Sequence, residues 1–290
     1  MRKFNTISIE PTFYYDFSPL KIDVDNMDED NFDTLQSVMI NEFLDNRKKY
    51  KNPLLKKAHI DHDALEISFQ KDSVKNILSK FGSLQKFLKR KGFIPSSIVS
   101  LETEGGCHLN VDLTDIKEKT NLLVNLRNYL LSNQCIAWSF LSPYDEQSSV
   151  HSEYSIFDLR KGDFFTVRSV SSSDFGSSSY ISDYGMPDQK EKAIRYVELR
   201  FFCMPKNSKE LQVNIEFAQK LLRYLEANDI EFPNNWELNP VKLETEIEKL
   251  KTVCKKIGFP YKTLEKYGKV QNLEDRFHLQ SIQHSRNYLI

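Results

Sequence analysis

The strongest constraint on the fold is a period-two alternation that recurs in four separated segments. In each, one face is apolar and the other carries a carboxylate or an imidazole. Residues 107–113, CHLNVDL, place Cys107, Leu109, Val111 and Leu113 on one side and His108, Asn110 and Asp112 on the other, because side chains alternate along a strand. Residues 4–12 set Ile7 and Ile9 against Ser8 and Glu10, and Pro11 predicts an edge position or a strand end. Leu65, Ile67 and Phe69 oppose Glu66 and Ser68, while Val197, Leu199 and Phe201 oppose Glu198 and Arg200. Patterns of this one-sided kind belong to an antiparallel sheet with one face on a core. Residues 99–104 alternate too, with Glu102 and Glu104 on the side of Ser100, before Gly105-Gly106 allows a close backbone approach.

Helical periodicity fills the intervals between these strands. Asp33-Thr-Leu-Gln36 predicts a capping box before a helix bearing Leu35, Val38, Met39 and Phe43. Residues 73–91 carry an apolar stripe stopped by Gly92, residues 117–132 carry a leucine stripe, and Ser208 is placed to cap a helix to about 228. Residues 134–141 are expected to form a further strand, as are residues 164–170. The serine-rich run 169–179 reads either as a structureless loop or as a lid over a site. A Pro/Asn break at 232–240 separates residues 1–232 from a C-terminal helical extension, 233–290, whose stripe of Leu243, Ile247, Leu250 and Cys254 suits packing on the main body or on a partner. The class is therefore α+β, with helices on the outer face of an antiparallel sheet.

Composition removes several functional classes. Forty Lys+Arg against 41 Asp+Glu leave a net charge of -1, so no global field draws the chain to nucleic acid or to an anionic membrane, local patches aside. Four scattered cysteines form no Cys-x-x-Cys pair, which argues against a zinc knuckle or a disulfide framework. No run approaches the ~20 apolar residues of a membrane span, and residues 1–13 lack a secretory apolar core, so a cytoplasmic protein is expected.

If the alternating strands share a sheet, Glu10, Glu66, His108 and Glu198 share a face, with Arg200 beside them. Several ionised carboxylates there repel one another unless a cation neutralises them, and carboxylates with one imidazole suit Mg²⁺ or Mn²⁺ better than zinc. The competing explanation is an ordinary wet sheet face. Against it stands the residue set, since Glu, His, Asn, Asp and Arg are poorer strand residues than the Thr common on such faces.

GGCHLNVDL resembles the Gly-x-Gly-Met-His-x-Asn/His strand of the glutamine synthetase superfamily, and RYVELRFF resembles its Arg-Ile-Glu-x-Arg strand. The order of the strands and their N-terminal start are most similar to the amidoligase, or carboxylate–amine ligase, branch. That resemblance implies a curved catalytic sheet, ATP with Mg²⁺ or Mn²⁺, and amide formation through an acyl phosphate from a small-molecule or peptide carboxylate and an amine donor. By carry-over, Glu10, Glu66, His108 and Glu198, with Glu104, would be metal ligands. Arg200, Asn110, Arg160 and Lys161 would bind the nucleotide, and Arg200, Arg168 and Arg195 would act at the reacting groups. The family's first strand usually carries Glu-x-Glu, and here Ser8 takes the first of those places unless Glu102, Glu104 or Asp112 substitutes. That departure keeps open a catalytically degenerate protein with a structural or interaction role, and a guanidino-type phosphotransferase is a third alternative. No nucleic-acid or membrane partner is expected, while a homo-oligomer or protein partner would use the C-terminal helices.

Overall fold

In the computed structural model, which describes residues 3–22, 27–61, 64–99, 106–140, 165–169, 178–180, 194–231 and 242–287, all four alternating segments lie in one sheet. The strands are β1 (Thr6–Tyr15), β2 (Ala58–Asp61), β3 (Ala64–Ile67), β4 (Asp72–Ser73), β5 (Phe93–Pro95), β6 (Cys107–Asp112), β7 (Phe165–Ser169), β8 (Ser178–Tyr180) and β9 (Ile194–Leu199). Their order is β2-β3-β1-β6-β9-β7-β8, with β4 and β5 also on β1. Every pairing is antiparallel.

Pro11 does not make β1 an edge or end it there. The strand runs on to Tyr15 with β6 on one flank and β4 and then β3 on the other. Pro11 falls between the bond from Phe69 N–H to the Ile9 carbonyl (2.9 Å) and the Thr12–Glu66 pair. Its missing N–H thus sits where β1 changes partners and interrupts no ladder.

The helices are α1 (Glu29–Asn46), α2 (Val74–Lys89), α3 (Ser96–Val99), α4 (Lys119–Ser132), α5 (Cys135–Phe140), α6 (Ser208–Glu226), α7 (Leu243–Ile257), α8 (Tyr261–Lys266) and α9 (Lys269–Asn287). Ile7, Ile9, Leu109, Val111 and Val197 of the sheet join Ile77, Phe81 and Leu84 of α2 and Leu222 of α6 in one buried core. Each such side chain contributes roughly 1.5–3 kcal/mol by leaving water. Gly82 lets α2 lie close on α6, since a Cβ there would stand 2.8 Å from Ser208 Oγ.

Several local expectations shift. The α1 cap is Asp28, whose side chain accepts from Asn31 N–H, five residues before the expected box. Asn207, not Ser208, caps α6, because its carboxamide oxygen accepts from both Lys209 and Glu210 N–H. Residues 135–140 are helix rather than strand, and all six are buried. A segment enclosed on every side shows no polar face, so its sequence carries no period by which helix and strand can be told apart. Residues 96–99 close as α3, and Glu102 and Glu104 lie outside the described residues.

The C-terminal helices share this core: Leu250 and Cys254 of α7, Leu264 of α8 and Leu273 of α9 pack with the buried residues of α5 and α6. Lys269, only 1% exposed, anchors α9 through a 2.7 Å ion pair with Glu210. Burial alone would lower the Lys269 pKa, but Cys203 and Glu210 beside it win and raise it. Among the described residues no helix is long and apolar enough to cross a membrane.

Candidate functional site

Three neighbouring strands build the site by register. In the β1–β6 ladder Glu10 stands directly opposite His108 and Ser8 opposite Asn110, and in the β6–β9 ladder Asn110 stands opposite Glu198. Opposed residues of an antiparallel pair share a face. Glu10, His108, Asn110 and Glu198 therefore meet on the side away from Ile9, Leu109 and Leu199, as the alternation predicts.

The side chains converge. His108 Nδ1 lies 3.4 Å from Glu10 Oε2 and 3.6 Å from Glu198 Oε1. One ligand atom each from Glu10, His108 and Glu198 falls within 4.8 Å of the others. Arg200, just past β9, brings Nε to 3.5 Å from both His108 Nε2 and Glu198 Oε1. Glu198 is 1% exposed and Glu10 9%, whereas His108 and Arg200 reach solvent in part. The cluster thus holds two buried carboxylates at the floor with an imidazole and a guanidinium at its mouth.

This donor set fits a divalent cation. Two carboxylate oxygens and one ring nitrogen within bridging range satisfy the hard-ligand preference of Mg²⁺ or Mn²⁺ and leave positions for water or phosphate oxygens. Asn110 Oδ1, on the same face, is buried with no hydrogen-bond partner among the described residues, an acceptor that a hydrated cation would satisfy. Cys107 faces the other way and stays a thiol. Burial first, and then the Glu10 carboxylate, pushes its pKa well up.

No protein-family model matches the chain, and no curated protein matches it. Among solved structures it is similar to a chain in the crystal structure of the complex between prokaryotic ubiquitin-like protein Pup and its ligase PafA, at 10% identity and a TM-score of 0.39. That match covers 98% of this chain and 65% of the other, so the present chain spans about two thirds of its length. It is similar also to apo GmaS without ligand, at 10% identity and a TM-score of 0.39, covering 97% of this chain and 69% of that one.

Glu66 lies on the other flank of β1. It is registered against Thr12 in the β1–β3 ladder and against His59 in the β2–β3 ladder, and it ion-pairs His59 Nε2 at 3.3 Å instead of joining the three-residue cluster. Thr12, not Ser8, is therefore where a second β1 carboxylate would stand opposite Glu66. The Thr12 hydroxyl donates instead to the Gly106 carbonyl at 2.8 Å and lies 2.8 Å from Ser96 Oγ. Asp112 is no substitute ligand, since Lys71 holds it at the far end of β6. Burial opposes ionisation of Asp112, but the Lys71 contact and the Thr114 amide prevail and keep its pKa low.

The cationic candidates divide. Arg200 is in the cluster. Arg168 is registered against Tyr196, two residues along β9 from Glu198. Arg195 lies three residues before Glu198 on β9, at the point where the β7–β9 register shifts. Glu104, Arg160 and Lys161 lie outside the described residues. His59 is a neighbour of Glu66 that strand alternation alone does not bring forward. The signal for it was its place on a short strand before the Glu66 strand, where a hairpin puts the two side by side.

Proposed function

We propose that this chain is an ATP- and divalent-metal-dependent carboxylate–amine ligase of the glutamine synthetase-like kind, its sheet serving as the catalytic platform. The observation that carries this is the convergence of Glu10, His108 and Glu198 within 4.8 Å, with Arg200 against two of the three. Bound there, Mg²⁺ would neutralise polyphosphate charge and template in-line phosphoryl transfer from ATP to a carboxylate. Glu10, His108 and Glu198 would hold it, and Arg200 would meet the charge on transferred phosphoryl oxygens. The acyl phosphate so formed would lose phosphate to an attacking amine, leaving an amide. The buried floor would limit competing attack by water. Glu66 with His59 flanks the same face as a second polar station.

The test uses two independent readouts. Mn²⁺ binding followed by electron paramagnetic resonance should fall at least tenfold in His108→Gln and in Glu198→Gln. ATP with Mg²⁺ at 100 times its Kd should stabilise the native chain by about 2.7 kcal/mol, which is about 4–5 °C in a chain of 290 residues. Metal affinity unchanged in both variants would overturn the assignment of the ligands. A metal site that gives no nucleotide-dependent shift would favour the degenerate binding protein.

A further inference from the structure

The charge of the described surface is far from even. Residues 47–57, RKKYKNPLLKK, hold six cations and no carboxylate, and residues 86–91, KFLKRK, hold four and none. The fold joins the two segments through Tyr50. Its ring stacks on Phe43 at 5.2 Å and meets Phe87 at 5.8 Å, and Lys91 Nζ lies over it at 4.5 Å. Of these ten cations only Arg47 is partly shielded, and the rest are exposed. The remaining 30 of the chain's 40 cations face all 41 carboxylates elsewhere, so one face is strongly positive on a molecule of net charge -1. The nearest carboxylates in the chain are Asp45 on the closing turn of α1 and Asp61 at the end of β2.

Helix ends account for part of this. The C-termini of α1 and α2 both abut the patch, and each attracts cations at about 0.3–1 kcal/mol. Ten like charges side by side exceed that need and repel one another. What they suit is a dense, extended anion.

We infer that, against the expectation from the net charge of -1, this face docks the phosphate backbone of a nucleic acid. Three observations select this partner. The patch is eight lysines to two arginines, and lysine is depleted from protein–protein interfaces but is a good point-charge contact for phosphate. The exposed large apolar residues among those described are Leu20 and Val38, neither of them in the patch, so the apolar insertion that holds a peripheral protein on a membrane is missing from it. Tyr50 is already covered by Phe43, Phe87 and Lys91, which leaves its ring no face for base stacking and makes the contact one of backbone charge.

Fluorescence anisotropy of the full chain with a labelled 24-base-pair duplex, RNA and DNA in parallel, tests this. Neutralising about five phosphates gives a log–log salt slope near -4.5, so affinity should fall roughly 500-fold between 50 and 200 mM salt. Lys48→Glu, Lys56→Glu, Lys86→Glu and Lys89→Glu together should abolish binding, while Lys255→Glu with Lys256→Glu, on the exposed side of α7, should leave it intact. The corresponding four Gln substitutions, checked for an unchanged melting temperature, guard against a folding defect and should weaken binding at least tenfold. No binding at 50 mM salt, a flat salt dependence, or equal loss in the α7 control would overturn the inference. So would binding to phosphatidylserine vesicles or polyglutamate in the absence of duplex binding.

Discussion

Replacing Glu10 with Gln separates a ligand cluster from an ordinary polar sheet face. Two ionised carboxylates with oxygens within 4.8 Å repel by about 3.5 kcal/mol at an effective dielectric of ~20. Arg200 and His108 offset part of that, and the Glu10→Gln variant would lose the charge on the contact with His108, a contact worth about 1 kcal/mol. The net expectation for metal-free protein is a gain of about 1–2 kcal/mol, because an isosteric amide removes one buried charge without leaving a cavity. In a chain of this size that raises the melting temperature by about 2–3 °C. In the presence of Mn²⁺ the order should reverse, since the wild type gains binding energy that the variant lacks. Scanning calorimetry of both proteins in chelator and in excess Mn²⁺ reads all four numbers. A variant that melts below the wild type in chelator, and by the same margin in Mn²⁺, would mean that Glu10 is a satisfied structural residue.

Lys269→Met should destabilise by about 3–5 kcal/mol because it leaves Glu210 charged and buried, and adding Glu210→Gln should recover most of the loss in urea unfolding. A single-variant cost below about 1 kcal/mol would mean that α9 is held by its apolar contacts alone. Gly92→Ala and Gly268→Ala form a matched pair, both at positive φ (+85° and +72°). Only at Gly92 would the new Cβ meet a neighbour, Tyr15 Cε2 at 2.6 Å, so Gly92→Ala should cost about 1–2 kcal/mol more by thermal unfolding.

The four strands and their faces were legible in the sequence because alternation is a local property: a residue two places on points the same way whatever the strand pairs with. The α2 stripe was legible for the same reason, Ile77, Phe81, Leu84 and Leu88 recurring at helical spacing. Residues 135–140 were not, because complete burial erases the contrast on which either period depends. Nor was the role of Pro11, whose missing N–H is costly or harmless according to which neighbour β1 has at that point.

The candidate site divides along the same line. The sequence by itself determined that Glu10, Glu66, His108 and Glu198 each oppose an apolar face, and that Arg200 follows Glu198 by two. Which of them meet depends on register, and register is set by pairings between residues far apart in the chain. Those pairings put Glu10 and Glu198 around His108, and they send Glu66 to the far flank of β1 beside His59. Only the tertiary structure decided that Glu10, His108 and Glu198 converge and that Thr12 is the residue opposite Glu66. The basic patch has the same origin, since residues 47–57 and 86–91 become one surface only when Tyr50 packs between Phe43, Phe87 and Lys91.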